Sequence, residues 1–321
     1  MAKAASYNVA GNREDLSDIL TILEPESTPL TSMANKATAS GTFFEVQVDD
    51  LSTASFDGVN EGEDVTSFDN KAANRARIGN YVQKFRRTYA TSDIQEIVNT
   101  AGVASEFANA ESKAVREIKR DMEAAFCSAQ DRQADSGAGS PYKTRGMFKF
   151  LGVGGQPSDI PAFAQNVAND TTGTQTETTF NSVLQELYEA NGMPGGQLTL
   201  IAGPTLKKEI SDFSRQAGGA GFAYQVTQPA ESKKITLSVN FYEGDFGNIA
   251  IIPSTLLNRT SGSATIDGDA GLLIDPDYVA IHTLKAESNT ELENQGGGRR
   301  GFADIICGLA CHSPKAHGYF N

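Results

Sequence analysis

A chain of 321 residues, 39% hydrophobic and 21% charged, can bury one large or two moderate cores, and its 31 glycines without a tryptophan point to many turns. A net charge of −13 sets the surface against phosphate, which disfavours gripping nucleic acid as a main task but suits a protein that sits beside it. No apolar run reaches the ~18 to 20 residues of a membrane span, no apolar core follows Lys3 as in a secretory signal, and three scattered cysteines argue for a reducing cytosol over a disulfide framework.

In "REDLSDILTILEPESTPL" Leu16, Ile19, Leu20 and Leu23 recur at helical spacing and stop before Pro25. No second helix lies beside this one in sequence, so its stripe must pack on something distant, another subunit included. Phe44, Val46 and Val48 then alternate with Glu45, Gln47 and Asp49, the period of a strand with one buried face. A second strand is read from Asn80 to about Ser92. The excursion between them is divided by charge: residues 49–69 hold seven acids, among them Glu61, Glu63 and Asp64, and no base. Residues 71–87 hold six bases, among them Arg75, Arg77, Arg86 and Arg87, and no acid. Either the two limbs screen each other across a hairpin, or the arm projects and each limb meets a complementary surface on a neighbouring subunit.

From about Ser105 to Arg132, Phe107, Ala108, Ala114, Val115, Ile118, Met122, Ala125, Phe126 and Ala129 form a helical stripe. Lys113 with Glu117 and Lys119 with Glu123 stand as i,i+4 pairs on the other faces, and such a helix is roughly 40 Å long. A second helix is predicted with Thr178 or Thr179 as cap, Phe180, Val183, Leu184, Leu187 and Tyr188 as stripe, and Gly192 as stop. Strand "QLTLIAG", helix "TLKKEISDFSR", a loop "QAGGAGFA" and strands "KITLSVNFYEG" and "GNIAIIP" follow, an α+β subdomain inserted at 176–263. Strands "GLLIDP", "YVAIHTLKA" and "ADIICGLACH" close the chain.

The motifs carry little chemistry. "GPTLKKE" lacks the second glycine and the lysine–hydroxyl pair of a phosphate loop, "GDFGN" has no kinase loops upstream, and "DGDAG" is far short of a calcium loop. In "CGLACHSPKAH" two cysteines and two histidines crowd eleven positions, as a metal site would require. The segment reads as a strand, however, and a strand separates Cys307 from Cys311 by roughly 13 Å, whereas two thiolates on one zinc must each lie ~2.3 Å from it. Buried free thiols are expected, with no metal, cofactor or catalytic set.

The order of elements, an arm, a long two-stranded excursion, a spine helix, an inserted α+β subdomain and returning strands, resembles the major capsid proteins of tailed bacteriophages with the Hong Kong 97-like fold. "EDLSDILTILEPESTPLTS" resembles the N-terminal arm of one such family, "FFEVQVDDL" with "NEGEDV" its outgoing limb, "RIGNYVQKFRRTYATSD" its returning limb and "ESKAVREIKRDMEAAF" its spine helix. "FGNIAIIPS" and "LLIDPDYVAIHTL" are similar to strands of its later domains. The resemblance implies an α+β fold with an arm at 1–41, an extended loop at 42–92, a peripheral domain at 93–175 and 264–321, and an axial domain at 176–263. It implies a non-enzymatic subunit whose hexamers and pentamers close an icosahedral shell around double-stranded DNA, made in the host cytoplasm and found in the virion, with portal, scaffold or decoration proteins as further partners and no membrane. No long scaffolding segment precedes the arm, so a separate scaffold protein or none is expected. Leu16, Ile19, Leu20, Leu23, Glu61, Glu63, Asp64, Arg75, Arg77, Arg86 and Arg87 are the expected intersubunit residues. An encapsulin-like nanocompartment shell is the nearest alternative reading. A hydrolase or metal-dependent enzyme using His312, His317 and the tail cysteines is a more distant one.

Overall fold

The computed structural model describes residues 28–72, 74–98, 103–137, 139–171, 173–191, 197–213, 241–244, 246–257, 259–261, 264–266 and 269–321. The arm stripe Leu16, Ile19, Leu20 and Leu23 lies outside them, as do the glycine-rich loop after residue 213 and all of "KITLSVN". In chain order, α1 (Pro29–Met33) and β1 (Asn35–Thr38) precede a hairpin of β2 (Phe43–Val48) and β3 (Ala76–Tyr81), then β4 (Gln83–Thr91), α2 (Asp93–Ile97) and the spine helix α3 (Glu106–Phe126). Next come α4 (Met147–Phe150), β5 (Asn169–Asp170), α5 (Glu177–Asn191), β6 (Gln197–Ala202), α6 (Pro204–Phe213), β7 (Phe241–Gly244) and β8 (Gly247–Pro253). A small pair, β9 (Arg259–Ser261) and β10 (Ala264–Ile266), leads to β11 (Gly271–Ile274), β12 (Val279–Leu292), β13 (Arg299–Cys311) and β14 (Gly318–Phe320).

The described chain divides into two compact units, one of residues 86–98, 103–118 and Ser288–Asp304, the other of 28–85, 119–287 and Ile305–Asn321. β1, β12, β13 and β4 form a four-stranded sheet in that order, with β1 parallel to β12. In the first unit Tyr89 meets Phe107 edge-on at 5.3 Å, and the Arg299 guanidinium lies 4.0 Å from the Phe107 ring centroid while bonded to Glu291 at 2.9 Å. In the second, a six-stranded sheet runs β5-β14-β11-β6-β8-β7. Phe180, Val183, Leu184 and Leu187 of α5 and Leu206 and Ile210 of α6 are buried in one cluster with Leu200, Ile249, Ile251 and Phe320 of the sheet. Each such side chain contributes ~1.5 to 3 kcal/mol by leaving water.

Several sequence expectations need correction. The strand expected from Asn80 to Ser92 is two strands broken at Val82, because the first pairs with β2 and the second with β13. The spine helix ends at Phe126, near 32 Å at ~1.5 Å per residue, since Ser128 N and Oγ both turn back onto the Ala125 carbonyl (3.3 and 2.7 Å) and tighten the last turn. Glu123 is no surface partner for Lys119; it is fully buried. α5 is capped by Thr176, whose Oγ1 accepts from Thr179 N while Thr179 Oγ1 accepts from Thr176 N, and Tyr188 stays half exposed. Apart from these corrections, the six-stranded sheet takes β6, β7 and β8 from residues 176–263 and β5, β11 and β14 from elsewhere in the chain.

Candidate assembly surfaces

The hairpin is held at its root by packing and by a buried charge network. β2 and β3 pair in register from Phe43 opposite Tyr81 to Val48 opposite Ala76, so Phe44, Val46 and Val48 share the inward face as their alternation requires. Phe44 stacks on His282 of β12 at 4.5 Å, and a Cβ at Gly308 of β13 would come within 2.8 Å of both the Phe44 ring and the Tyr81 carbonyl. Only glycine permits that approach. At Gly79 a Cβ would sit 2.2 Å from the Phe43 ring, and the bare carbonyl there accepts from Arg132 Nη1 at 2.6 Å.

Behind the hairpin the buried Asn80 amide donates to the Leu309 carbonyl (2.7 Å) and Thr144 Oγ1 (3.0 Å) while its oxygen accepts from Arg145 N (2.8 Å). The Arg145 side chain, 2% exposed, grips Asp159 through two nitrogens (3.1 and 2.7 Å) and Asp131 through Nε (2.8 Å). Burial alone would raise the Asp159 pKa, but the Arg145 hydrogen bonds and the charges of Arg145 and Arg132 prevail and lower it. A second anchor joins α1 to the spine: the Glu123 carboxylate accepts from Leu30 N and Thr31 N at 2.8 Å each and from Thr31 Oγ1 at 2.5 Å. Burial raises the Glu123 pKa against those hydrogen bonds. Neither anchor has a sequence signature. Arg145 reads as a loop cation and Glu123 as one more helix-surface acid.

Beyond the root, the loop from Asp49 to Arg75 leaves its apolar side chains in water. Leu51 is 90% exposed, Phe56 101% and Phe68 88%. Of the expected intersubunit residues, Arg75 pairs with Asp49 at 3.2 Å and Arg77 with Glu45 at 3.3 Å, so at the base the limbs screen each other within one chain. Glu61, Glu63 and Asp64 face solvent farther out, with Glu63 accepting from Asn60. Arg87 lies 3.7 Å from Glu117, and Arg86 is exposed on β4.

The tail is the expected strand: Cys307 and Cys311 both lie in β13 and are buried, which pushes the Cys307 thiol up to about 12 and Cys311 higher still. His317 is fully buried, its Nδ1 accepting from Asp275 N at 3.2 Å, and burial brings it down to about 3. Among the described residues no three His, Cys, Asp or Glu side chains converge as metal ligands would.

The family model of the SU10 major capsid protein matches residues 3–321 of this chain. The chain belongs to the SU10 major capsid protein family. A major capsid protein of Escherichia phage Phieco32 is 30% identical over 128 residues, which is 40% of this chain and 36% of the length of that relative. Among solved structures, the capsid of a native GTA particle superposes at a TM-score of 0.62 with 13% identity over 98% of this chain and 95% of that one. The capsid of cyanophage P-SCSP1u does so at 0.57 with 15% identity over 96% and 92%. The holo-SrpI encapsulin complex of Synechococcus elongatus PCC 7942 gives 0.56 with 10% identity over 97% and 91%. At these identities the likeness is one of fold, the α+β Hong Kong 97-like fold of phage capsids, and this SU10-family chain has it. Because an encapsulin shares that fold, the structural comparisons do not divide the two shell classes. The family match does.

Proposed function

We propose that the chain is the building block of a phage head, assembling with copies of itself as hexamers and pentamers into an icosahedral shell that encloses double-stranded DNA. The family match over residues 3–321 carries this reading. On it, residues 1–41 act as an arm and 42–92 as an extended loop reaching neighbours, 93–175 with 264–321 form the peripheral domain, and 176–263 the axial domain. Fully exposed Phe56 and Phe68 support a loop built to be covered, since monomers rarely leave such side chains in water without purpose. The net charge of −13 suits a wall that repels the packed genome. The role is structural, located in the virion after synthesis in the host cytoplasm, with portal, scaffold or decoration proteins as further partners. Negative-stain electron microscopy of the purified protein tests it: genome-sized closed shells are expected, and dispersed monomers or only small cages around a protein cargo would overturn it.

A further inference from the structure

Midway along the acidic limb of the extended loop, "SFDGV" sets Asp57 before Gly58, the one Asp–Gly pair among the described residues. Both residues are exposed, and a Cβ added at Gly58 would meet no atom within 4 Å. The Gly58 N–H has no hydrogen-bond partner among the described residues, so its nitrogen is open. The Asp57 carboxylate is tied only locally: Oδ2 accepts from Ser55 Oγ at 3.0 Å, and the same hydroxyl accepts from Asp57 N at 3.1 Å. Glycine matters here because it has no side chain to shield its nitrogen and is free to rotate that nitrogen toward the preceding carboxyl carbon.

We propose that Asp57 is a modification site, at which the chain converts aspartate to isoaspartate through a succinimide ring. Gly58 N attacks Cγ of the Asp57 carboxylic acid; the N–Cγ bond forms, a Cγ–O bond breaks, and the hydroxyl leaves with the amide proton as water. A second water then opens the ring. Attack at Cγ restores aspartate, while attack at the α carbonyl leaves the backbone running through Cβ and Cγ, with the carboxylate on Cα. Water is the only reactant besides the chain itself. The other aspartates of the limb are internal controls, since Asp49, Asp50, Asp64 and Asp69 precede Asp50, Leu51, Val65 and Asn70, whose side chains crowd the attacking nitrogen.

The extra backbone methylene re-aims the adjacent Phe56, which is fully exposed. This gives the site a consequence that, unlike the site itself, rests on the capsid reading: subunits left unassembled age at Asp57 and lose the ability to join a shell.

The test stores purified wild-type protein at physiological temperature and digests it at intervals. The peptide holding Asp57 is expected to split into two chromatographic peaks of equal mass, and electron-transfer fragmentation to place the isoaspartate at Asp57 rather than at Asp49, Asp50, Asp64 or Asp69. Gly58→Val, whose side chain enters open space, is expected to slow the conversion about tenfold or more. An unsplit peptide, equal conversion at the other aspartates, or an unchanged rate in Gly58→Val overturns the site. Stored protein is then set to assemble before and after treatment with an isoaspartyl methyltransferase and its methyl donor, which return isoaspartate to aspartate. Shell formation that falls on storage and recovers on repair supports the ageing role. Undiminished assembly of converted protein, or a loss that repair does not reverse, overturns that role and leaves the site standing. Fresh protein that forms no shells overturns the capsid reading instead.

Discussion

His317 shows how one side chain ties folding to pH. Its imidazole is fully buried and held at about 3 against the usual 6.5 of a histidine, so the unfolded chain binds a proton across that interval and the folded chain does not. Stability from this residue is therefore complete above pH ~6.5 and is lost as pH falls toward 3, by on the order of 4 kcal/mol at the lower end. Urea unfolding followed from pH 7 to pH 4 is expected to show this decline, and His317→Gln, which keeps an acceptor for Asp275 N, to flatten it. An equally steep decline in the variant would assign the effect to other groups. Glu123 makes a second test at this scale. Removing its carboxylate strands the N–H groups of Leu30 and Thr31, so Glu123→Ala is expected to cost about 2 to 4 kcal/mol in chemical denaturation, far more than the loss of a surface i,i+4 pair.

At the scale of elements, the hairpin is only as rigid as the charge network beneath it. Arg145→Leu removes the buried partner of Asp131 and Asp159, while Arg132 stays 3.1 Å from Asp159 and Asp131 is half exposed, and is expected to destabilise the chain by about 1 to 3 kcal/mol. Arg145→Lys should recover little, because one ammonium cannot replace a planar fork that reaches two carboxylates through three nitrogens. Full recovery by lysine would show that charge alone matters here. The arm can be tested in the same way, provided the cut falls in the right place. A deletion through residue 30 would remove Leu30, which is fully buried, and empty the Glu123 anchor, so the informative truncation ends at residue 27. That truncation is expected to leave Tm within a few degrees of wild type and to abolish stable shells, read by calorimetry and microscopy; a collapse of the folded signal would place Leu16, Ile19, Leu20 and Leu23 in the core of their own subunit.

For the whole molecule, the question is where its charges act. Exposed pairs such as Arg87 with Glu117 are worth ~0 to 1 kcal/mol, so reversing a surface charge should hardly move subunit melting. Arg86→Glu is expected to slow assembly severalfold in light scattering while Tm holds, since complementary charges govern register and association rate more than stability. A lowered Tm with normal assembly would confine Arg86 to its own chain. The same logic makes assembly sensitive to salt: raising ionic strength from 0.1 to 1 M shortens the Debye length from ~10 to ~3 Å, which should suppress shell formation but not folding.

Local regularities were legible in the sequence. Phe44, Val46 and Val48 on one face of β2, the apolar stripe of α5 from Phe180 to Leu187, and the strand that separates Cys307 from Cys311 follow from periods of 2 and 3.6, which depend on nothing beyond the neighbouring residues. The order of these elements sufficed to suggest the fold. What the sequence could not decide were the contacts joining residues far apart in the chain. Glu123 has the spacing of a surface acid, and only the distant backbone of Leu30 and Thr31 makes it a buried cap. Arg75 and Arg77 read as free to reach a neighbour until the register of β2 on β3 sets them beside Asp49 and Glu45. The pairing of Arg145 with Asp159 exists because tertiary packing brings together side chains with no fixed spacing in sequence.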